Sequence, residues 1–442
     1  MTDISQYLAI FSLTNDRFNQ YNCCNMKITV IGGGSPYTPE LISKLAEVQN
    51  RLSVDEICLM DIDGRKLDIM HGFCTRYGNR LGLKARISKT TDRKRALDGA
   101  DFVNTQIRVG GNASRVKDEK IPLSHGLIGQ ETTGAGGFAK ALRTIPAMLD
   151  IAHDVEKICP NAWIINYTNP TGLVAEAVTR YTKAHIAGLC AGGFNAQRAA
   201  SKALGVSPHT VHFNLAGLNH LSFAYNITIN GRPVNDAEFA KIAEEAGDKD
   251  LYVMLGAIPI SYLRYYFHTA QVVKTMQESK QTRGEQVLEM EAELYAAFAD
   301  PACDTRPAIL DKRGGGGYSD CAISAIEAIH LNQDLWSVAN IPNKGVLRFL
   351  PDNAVIETPC IVNAGGFWPI LQPPPPETVW GLISAVKNYE QLAVEAAVSG
   401  SRETALMALL AHPLVGDFDA ASELLPEILE GSREYLPQFF TN

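Results

Sequence analysis

Short apolar runs alternate with amphipathic stretches over the first half of the chain. Lys27–Ile31 is apolar and ends at three glycines, and Thr38–Val48 then places its apolar residues at helical spacing. More strand-like runs follow, with helical patterns between most of them. These runs are Glu56–Met60, Lys84–Ser88, Phe102–Ile107, Ala162–Ile165 and His185–Cys190. The alternation predicts an α/β domain over residues 26–205, a Rossmann-like, mostly parallel, doubly wound sheet with helices on both faces.

The pattern changes after about residue 205. Leu221–Ile229 alternates loosely and meets Asn230-Gly231, a two-residue hairpin signal. Short strands then mix with three long helical patterns, Val287–Phe298, Thr378–Val398 and Glu403–Ala411. We therefore predict a mixed α+β domain over residues 206–442 that completes the substrate site.

Composition narrows the class of protein. The 442 residues are 46% apolar and carry a formal net charge of −8, and no run rich in Lys and Arg is present, which argues against a nucleic-acid partner. No apolar run reaches the roughly 18 residues that a membrane-spanning helix needs. Nine scattered cysteines without a CxxC pair indicate the reducing cytoplasm. Residues 1–25 lack signal-peptide features and are predicted to be an N-terminal extension.

A glycine-rich turn after the first strand indicates a dinucleotide site. Gly32, Gly33, Gly34 and Ser35 open the first helical pattern, where backbone and helix N-terminus can receive a pyrophosphate. The fingerprint is partial, because a tyrosine replaces its third glycine. Asp61 ends the second strand and can bind a ribose hydroxyl, which favours NAD over NADP. A bare tight turn, with Asp61 as a helix cap, is the alternative interpretation.

Two residues predicted to follow strands of the nucleotide-binding sheet could hold a divalent metal. Cys190 and His220 provide a thiolate and an imidazole, both good ligands, although a single Cys is more often a small buried hydrophobe. Tyr262 lies in an aromatic run over Ser261–Phe267, which is typical of a core but could also supply a base. A glycine-rich loop at Arg313–Gly317 interrupts the C-terminal half.

From Met26 onward the chain resembles glycoside hydrolase family 4, the NAD- and metal-dependent glycosidases, and most closely the 6-phospho-β-glucosidases. The resemblance rests on segments that occur in the family's order. They are Val30–Leu41, Gly129–Gly134, Thr168–Pro170, Gly188–Cys190, Gly217–Phe223 and the run around Tyr262. It implies a lactate/malate dehydrogenase-like architecture and action on a phosphorylated glycoside. The size and mixed α/β class of the chain favour a homo-oligomer, a dimer or tetramer.

The resemblance also implies roles for individual residues. Cys190 and His220 match metal ligands, usually for Mn2+, Tyr262 matches the catalytic base, and Glu131 matches the acid that makes this tyrosine more basic. The remaining matches are substrate-binding Arg115, Asn169 and Arg283 and cofactor-binding Gly32, Gly33, Gly34, Ser35 and Asp61. The implied reaction is C3 oxidation by NAD, C2 deprotonation, elimination, water addition and re-reduction, an exception to two-carboxylate catalysis.

One position departs from the family pattern, and other activities stay open. Ala191 follows Cys190 where β-enzymes of the family usually have Asn and α-enzymes Asp, so a polar group beside the metal is missing. A non-phosphorylated or α-linked substrate is therefore an alternative. Two further alternatives stay open. One is an NAD-dependent hydroxy-acid or polyol dehydrogenase, with Arg108 and Arg115 as possible anion ligands, and the other is a non-catalytic NAD sensor.

Overall fold

The computed structural model describes residues 26–313 and 317–440. The predicted extension at residues 1–25 and three glycines of the Arg313–Gly317 loop lie outside these ranges. Within them, no helix is both long and apolar enough to cross a lipid bilayer. None of the cysteines in the same ranges forms a disulfide.

Thirteen strands are found in the described part of the chain. They are β1 (Lys27–Ile31), β2 (Glu56–Met60), β3 (Arg86–Thr90), β4 (Phe102–Thr105), β5 (Trp163–Asn166), β6 (His185–Gly188), β7 (Val211–Leu218), β8 (Leu221–Ile229), β9 (Arg232–Pro233), β10 (Ile258–Pro259), β11 (Leu335–Pro342), β12 (Val355–Asn363) and β13 (Gly366–Pro369).

The α-helices are numbered in the same way over the described ranges. They are α1 (Thr38–Val48), α2 (Gly64–Arg80), α3 (Arg93–Leu97), α4 (Gly111–Ser124), α5 (Gly134–Ile158), α6 (Thr171–Tyr181), α7 (Asn195–Leu204), α8 (Asp236–Ala246), α9 (Lys249–Leu255), α10 (Arg264–Phe267), α11 (Thr269–Glu278), α12 (Arg283–Ala299), α13 (Ile309–Arg313), α14 (Tyr318–Leu331), α15 (Trp380–Ser399), α16 (Arg402–Ala411) and α17 (Phe418–Gly431).

Six parallel strands form the first part of a nine-stranded sheet. Their order is β3-β2-β1-β4-β5-β6, which is the doubly wound arrangement of dinucleotide-binding folds. The predicted parallel sheet is therefore confirmed, with ends that differ by a few residues. Strand β3, for example, covers Arg86–Thr90 rather than Lys84–Ser88, because this edge strand is partly exposed and its apolar pattern is weak.

Three strands from the C-terminal half extend the same sheet. β11 lies antiparallel to β6 through the single residue pair Asn340–Gly188, and β12 and β13 follow it antiparallel. The two predicted domains thus share one sheet, and a division between residues 205 and 206 stays a prediction.

A second, antiparallel sheet is built from β10, β8 and β7, with β9 paired to β8. Asn230 and Gly231 both have positive φ and join β8 to β9, as their sequence predicts. His220 lies in the two-residue turn between β7 and β8. The prediction that it follows a strand of the nucleotide-binding sheet is wrong, because β7 and β8 are long enough to form a hairpin of their own.

Both faces of the large sheet are covered by apolar residues. On one face the core includes residues of α1, α2, α12 and α14, and on the other it includes residues of α5, α6 and α15 to α17. Helices from late in the chain therefore pack on a sheet made early in it. This packing brings loops from both halves of the chain to the carboxyl ends of the parallel strands.

Candidate functional site

The turn after β1 requires glycine for steric reasons. Gly32 has φ +92°, and a Cβ atom there would lie 2.9 Å from the backbone of Gln106. At Gly33 a Cβ atom would lie 2.8 Å from the Leu59 side chain. The amides of Gly32 and Gly33 both donate to the Met60 carbonyl, at 2.9 and 2.8 Å. The turn is thus held against β2 and β4, and it leads directly into α1.

Asp61 fixes this turn from the end of β2. Its Oδ2 accepts the Gly34 amide at 2.9 Å and its Oδ1 accepts the Asp63 amide at 3.0 Å. Ser35 Oγ accepts the amide of Tyr37, which precedes α1, at 3.3 Å. The predicted cofactor-binding residues therefore lie together at one turn, beside the N-terminus of an 11-residue helix.

Glu131 lies at the centre of a group of cations. Its carboxylate forms ion pairs with Arg108, with Arg115 at 3.1 Å and with Lys140 at 2.9 Å. Arg115 also donates to Glu119 at 2.8 Å. Three basic side chains thus face two carboxylates, and the cluster has a net positive charge when Lys140 is protonated. An isolated buried cation is costly, so this arrangement favours an anionic ligand nearby.

The cluster also shifts the proton affinities of its members. Burial alone would raise the pKa of Glu131, but the charges of Arg108, Lys140 and Arg115 hold that pKa well below its ordinary value. Burial and the nearby Arg108 lower the pKa of Lys140 to about 7, although Glu131 opposes that shift. Glu131 is therefore ionised at neutral pH and acts as a fixed charge rather than as an acid.

Thr132 connects Glu131 to His220 and to the predicted base. His220 Nδ1 lies 3.0 Å from Thr132 Oγ1, and the same hydroxyl donates to Gln130 Oε1 at 3.0 Å. The rings of His220 and Tyr262 are stacked, with centroids 3.9 Å apart and planes 8° from parallel. Because the Thr132 proton is used for Gln130, the hydroxyl accepts from Nδ1–H, and Nε2 keeps its lone pair.

Cys190 is the second predicted metal ligand, and its charge acts on Tyr262. Its Sγ accepts the Gly192 amide at 3.4 Å, and its negative charge, after burial, contributes to raising the pKa of Tyr262 above the ordinary value. Ala191 begins the short helical turn that follows Cys190, and the Arg198 side chain donates to its carbonyl at 3.0 Å. The residue after Cys190 therefore offers the site a methyl group and no polar side chain.

The donors at this place suit a divalent metal with open coordination positions. Burial, with help from Lys140, lowers the pKa of His220 to about 4, so its imidazole is neutral and able to bind a metal at pH 7. Cys190 adds a buried sulfur ligand. No group of three or more His, Cys, Asp or Glu side chains in the described ranges has the arrangement of a metal site. If these two donors bind a metal, coordination positions stay open for other ligands, as at catalytic metals.

The predicted substrate-binding residues are partly brought together. Arg115 contacts Glu131 directly, and its partner Glu119 accepts the Gly284 amide at 2.6 Å, next to Arg283. Arg283 itself is exposed and donates to the carbonyls of Lys312 and Arg313, at 2.8 and 3.1 Å. Asn169 follows β5 and is half-buried, with Nδ2 3.4 Å from the Tyr167 carbonyl. These positions surround the cluster without forming one contact group.

The cofactor turn is connected to one predicted metal ligand, His220, through Gln106, Arg108, Glu131 and Thr132. Gln106 donates to the Gly32 carbonyl at 3.1 Å, Arg108 follows two residues later, and Arg108 binds Glu131 beside Thr132. Lys140 and Thr132 were not predicted as site residues from the sequence. The available signal for Lys140 was its place among the small and apolar residues of Gly134–Leu142, because a buried amine needs a partner.

Comparison with known proteins places these features in a family. A family model described as "Family 4 glycosyl hydrolase" matches residues 27–206, and one described as its C-terminal domain matches residues 215–415. A relative from Bacillus subtilis (strain 168), "Probable 6-phospho-beta-glucosidase", is 40% identical over 433 residues, which are 94% of this chain and 98% of that protein.

Solved structures agree with this match. The 6-phospho-beta glucosidase from Thermotoga maritima, solved with manganese, NAD+ and glucose-6-phosphate, has a TM-score of 0.87 and 35% identity, covering 93% of this chain and 99% of that one. Malate dehydrogenase from Cryptosporidium parvum has a TM-score of 0.54 at 14% identity, covering 85% and 99%. The second likeness concerns the fold alone, and it confirms the dehydrogenase-like architecture predicted from the sequence.

Proposed function

Because the chain belongs to the family 4 glycosyl hydrolases, we propose that it hydrolyses 6-phospho-β-glucosides with the help of NAD and a divalent metal, Mn2+. One observation supports this most strongly. Hydrogen bonds, an ion pair and a ring stack connect the glycine turn with Glu131, His220 and Tyr262, and the charge of Cys190 acts on Tyr262. The Thermotoga maritima structure was solved with the same two cofactors and a sugar phosphate.

Each proposed role follows from a side chain's chemistry and position. Cys190 and His220 would hold the metal, which when bound polarises sugar oxygens and stabilises negative charge next to them. NAD, bound at the glycine turn, would accept hydride from the sugar and return it. The Tyr262 Oη would take the C2 proton, since the ring is held against His220. Departure of the C1 substituent by elimination and addition of water would complete hydrolysis.

The cation cluster supports a phosphorylated substrate. When Lys140 is protonated, the three basic side chains exceed the charges of Glu131 and Glu119 by one. An anion in their neighbourhood is then stabilised, and it favours the protonated form of Lys140. We propose that Arg115, Asn169 and Arg283 contact the substrate. Because Glu131 is ionised, we propose that its fixed negative charge keeps Tyr262 basic rather than donating a proton itself.

A panel of nitrophenyl glycosides tests the proposed function. With NAD, Mn2+ and a reductant present, we expect release of nitrophenol from the 6-phospho-β-glucoside, and at least about 100-fold lower kcat/KM without the phosphate, since charge-assisted hydrogen bonds contribute about 1.5–3 kcal/mol each. No net NADH should accumulate. Steadily rising NADH absorbance would instead support a dehydrogenase. Faster release of nitrophenol from α-glycosides would contradict the proposed preference for β-linked substrates. NAD binding without any turnover would support a non-catalytic NAD sensor.

Thr132→Val tests how His220 is prepared for the metal. The variant removes the hydroxyl that accepts from Nδ1–H, so the imidazole loses its fixed orientation and tautomer. We expect the Mn2+ dissociation constant to rise about 10- to 100-fold, the usual effect of losing a partner of a metal-binding histidine. Electron paramagnetic resonance titration of free Mn2+ measures this constant. Thr132→Ser keeps the hydroxyl and should restore affinity, and equal affinity in all three proteins would contradict the proposed role.

We also propose finer features of the protein's organisation. The disulfide-free cysteines of the described ranges support a cytoplasmic location, and the size and mixed α/β fold support a homo-oligomer, dimer or tetramer. Residues 26–205 would bind NAD and residues 206–442 would complete the catalytic site, as the positions of His220 and Tyr262 indicate.

A further inference from the structure

Arg313 is a buried guanidinium without hydrogen-bond partners for most of its donors. Its exposed fraction is 7%, and within the described ranges its Nε and Nη1 atoms have no hydrogen-bond partner. Its backbone carbonyl receives Arg283, which ties the end of α13 to the start of α12. A buried cation with unused donors is costly, since each unsatisfied charged group loses its hydration. Such a group is expected to meet an anion that the protein chain does not supply.

The position of Arg313 indicates where that anion binds. The guanidinium carbon lies 4.0 Å from the centroid of the Tyr37 ring. Tyr37 is the residue that precedes α1, directly after the Gly32–Ser35 turn. The charge of Arg313 also acts on the hydroxyl of Tyr295, which donates to the Gly34 carbonyl at 2.7 Å. Arg313 thus lies beside the C-terminal end of this turn, where α1 begins.

Two independent features therefore favour an anion at the same place. The first is the positive end of the α1 helix dipole, which attracts negative charge to the Gly32–Ser35 turn. The second is the guanidinium of Arg313, whose planar donors match the oxygens of a phosphate group. Stacking on Tyr37 fixes the plane of the guanidinium before a ligand arrives, so less side-chain entropy is lost on binding.

We propose that Arg313 is a binding residue for a phosphate group held at the Gly32–Ser35 turn, and that this group is the pyrophosphate of the dinucleotide. The inference rests on the proposed use of NAD. It also gives a role to the tyrosine that replaces the third glycine of the fingerprint. The Tyr37 ring stacks on the arginine and so orients it beside the turn.

Calorimetric titration of the whole protein tests the proposal with four probes: NAD+, ADP-ribose, adenosine and glucose 6-phosphate with Mn2+. In Arg313→Gln the dissociation constants of NAD+ and ADP-ribose should rise about 10- to 100-fold, as for loss of a charged hydrogen-bond donor. Adenosine, which lacks phosphate, and glucose 6-phosphate should bind as to the unmodified protein. Lys312→Gln removes an exposed positive charge one residue away and is the matched control, with no change expected.

The outcomes separate this inference from the proposed function. If the unmodified protein binds no NAD+, both the proposed function and the proposed role of Arg313 are wrong. If NAD+ binds equally to both proteins, the role of Arg313 alone is overturned, and weaker binding of glucose 6-phosphate only would assign the residue to the substrate instead. Arg313→Lys, which keeps the charge without the planar donors, should bind NAD+ with intermediate affinity. A merely structural role would lower the ligand-free melting temperature of Arg313→Gln and leave NAD+ affinity unchanged.

Discussion

Cys190→Ser is expected to abolish glycosidase activity while NAD binding stays intact. The thiolate is one of two proposed protein ligands, and a serine hydroxyl stays protonated and binds a soft or borderline metal weakly. If the metal supplies several kcal/mol of charge stabilisation, its loss lowers kcat/KM by at least about 10³-fold. The glycine turn and Asp61 are held by β1, β2 and Gln106, none of which depends on Cys190.

Two measurements separate loss of the metal from loss of the fold. Mn2+ titration should show a large rise in the dissociation constant of Cys190→Ser, and NAD+ titration should show none. Cys303→Ser is the matched control, since that thiol donates to the Thr305 carbonyl at 3.6 Å in the segment between α12 and α13. Full activity of Cys190→Ser, or of the unmodified protein in excess chelator, would contradict metal ligation by this residue.

The parallel half of the fold was predictable because its strands, except the partly exposed β3, are short apolar runs between turn signals. β1 and β2 were predicted with their observed ends, and β8 ended at the expected Asn230-Gly231 turn. The addition of β11 to β6 could not be predicted in the same way. It depends on one residue pair, Asn340 with Gly188, separated by about 150 positions, and the local pattern of β11 contains no information about that partner.

The candidate site also contains residues that local sequence patterns predict and residues that only the fold brings together. Glycines of the cofactor turn carry a local signal, because their positive φ or close contacts leave few alternatives. The family resemblance provided Cys190, His220 and Tyr262 as a set, and the stacking of the last two agrees with one shared site. The three cations around Glu131 arise from α4, α5 and the segment after β4, and only the fold brings them together.

The burial and proposed role of Arg313 could not be predicted from the sequence, for a related reason. It stands beside four glycines, a context that usually indicates only a turn. Its burial and its stacking on Tyr37 depend on α13 lying over the start of α1, a contact between residues separated by about 275 positions.

Tyr262→Phe should slow exchange of the substrate's C2 hydrogen with solvent deuterium by about 10²- to 10⁴-fold, the range expected for losing a positioned base. The phenyl ring keeps the stack on His220, so Mn2+ and NAD+ affinities should not change. Burial is the main cause that raises the pKa of Tyr262, and the charge of Cys190 raises it further. A positive charge beside Cys190 would offset this increase in pKa and allow the hydroxyl to lose its proton.

Tyr265→Phe provides the matched control for this experiment. Its ring lies 5.8 Å from the Tyr262 ring, and its hydroxyl accepts from the neighbouring Arg264 at 3.2 Å rather than from a proposed metal ligand. Deuterium incorporation at C2, followed by NMR during turnover, should therefore stay close to that of the unmodified protein. An unchanged exchange rate in Tyr262→Phe would remove this residue as the base. Equal slowing in both variants would show that the aromatic cluster acts by shaping the site, because only Tyr262 is stacked on His220.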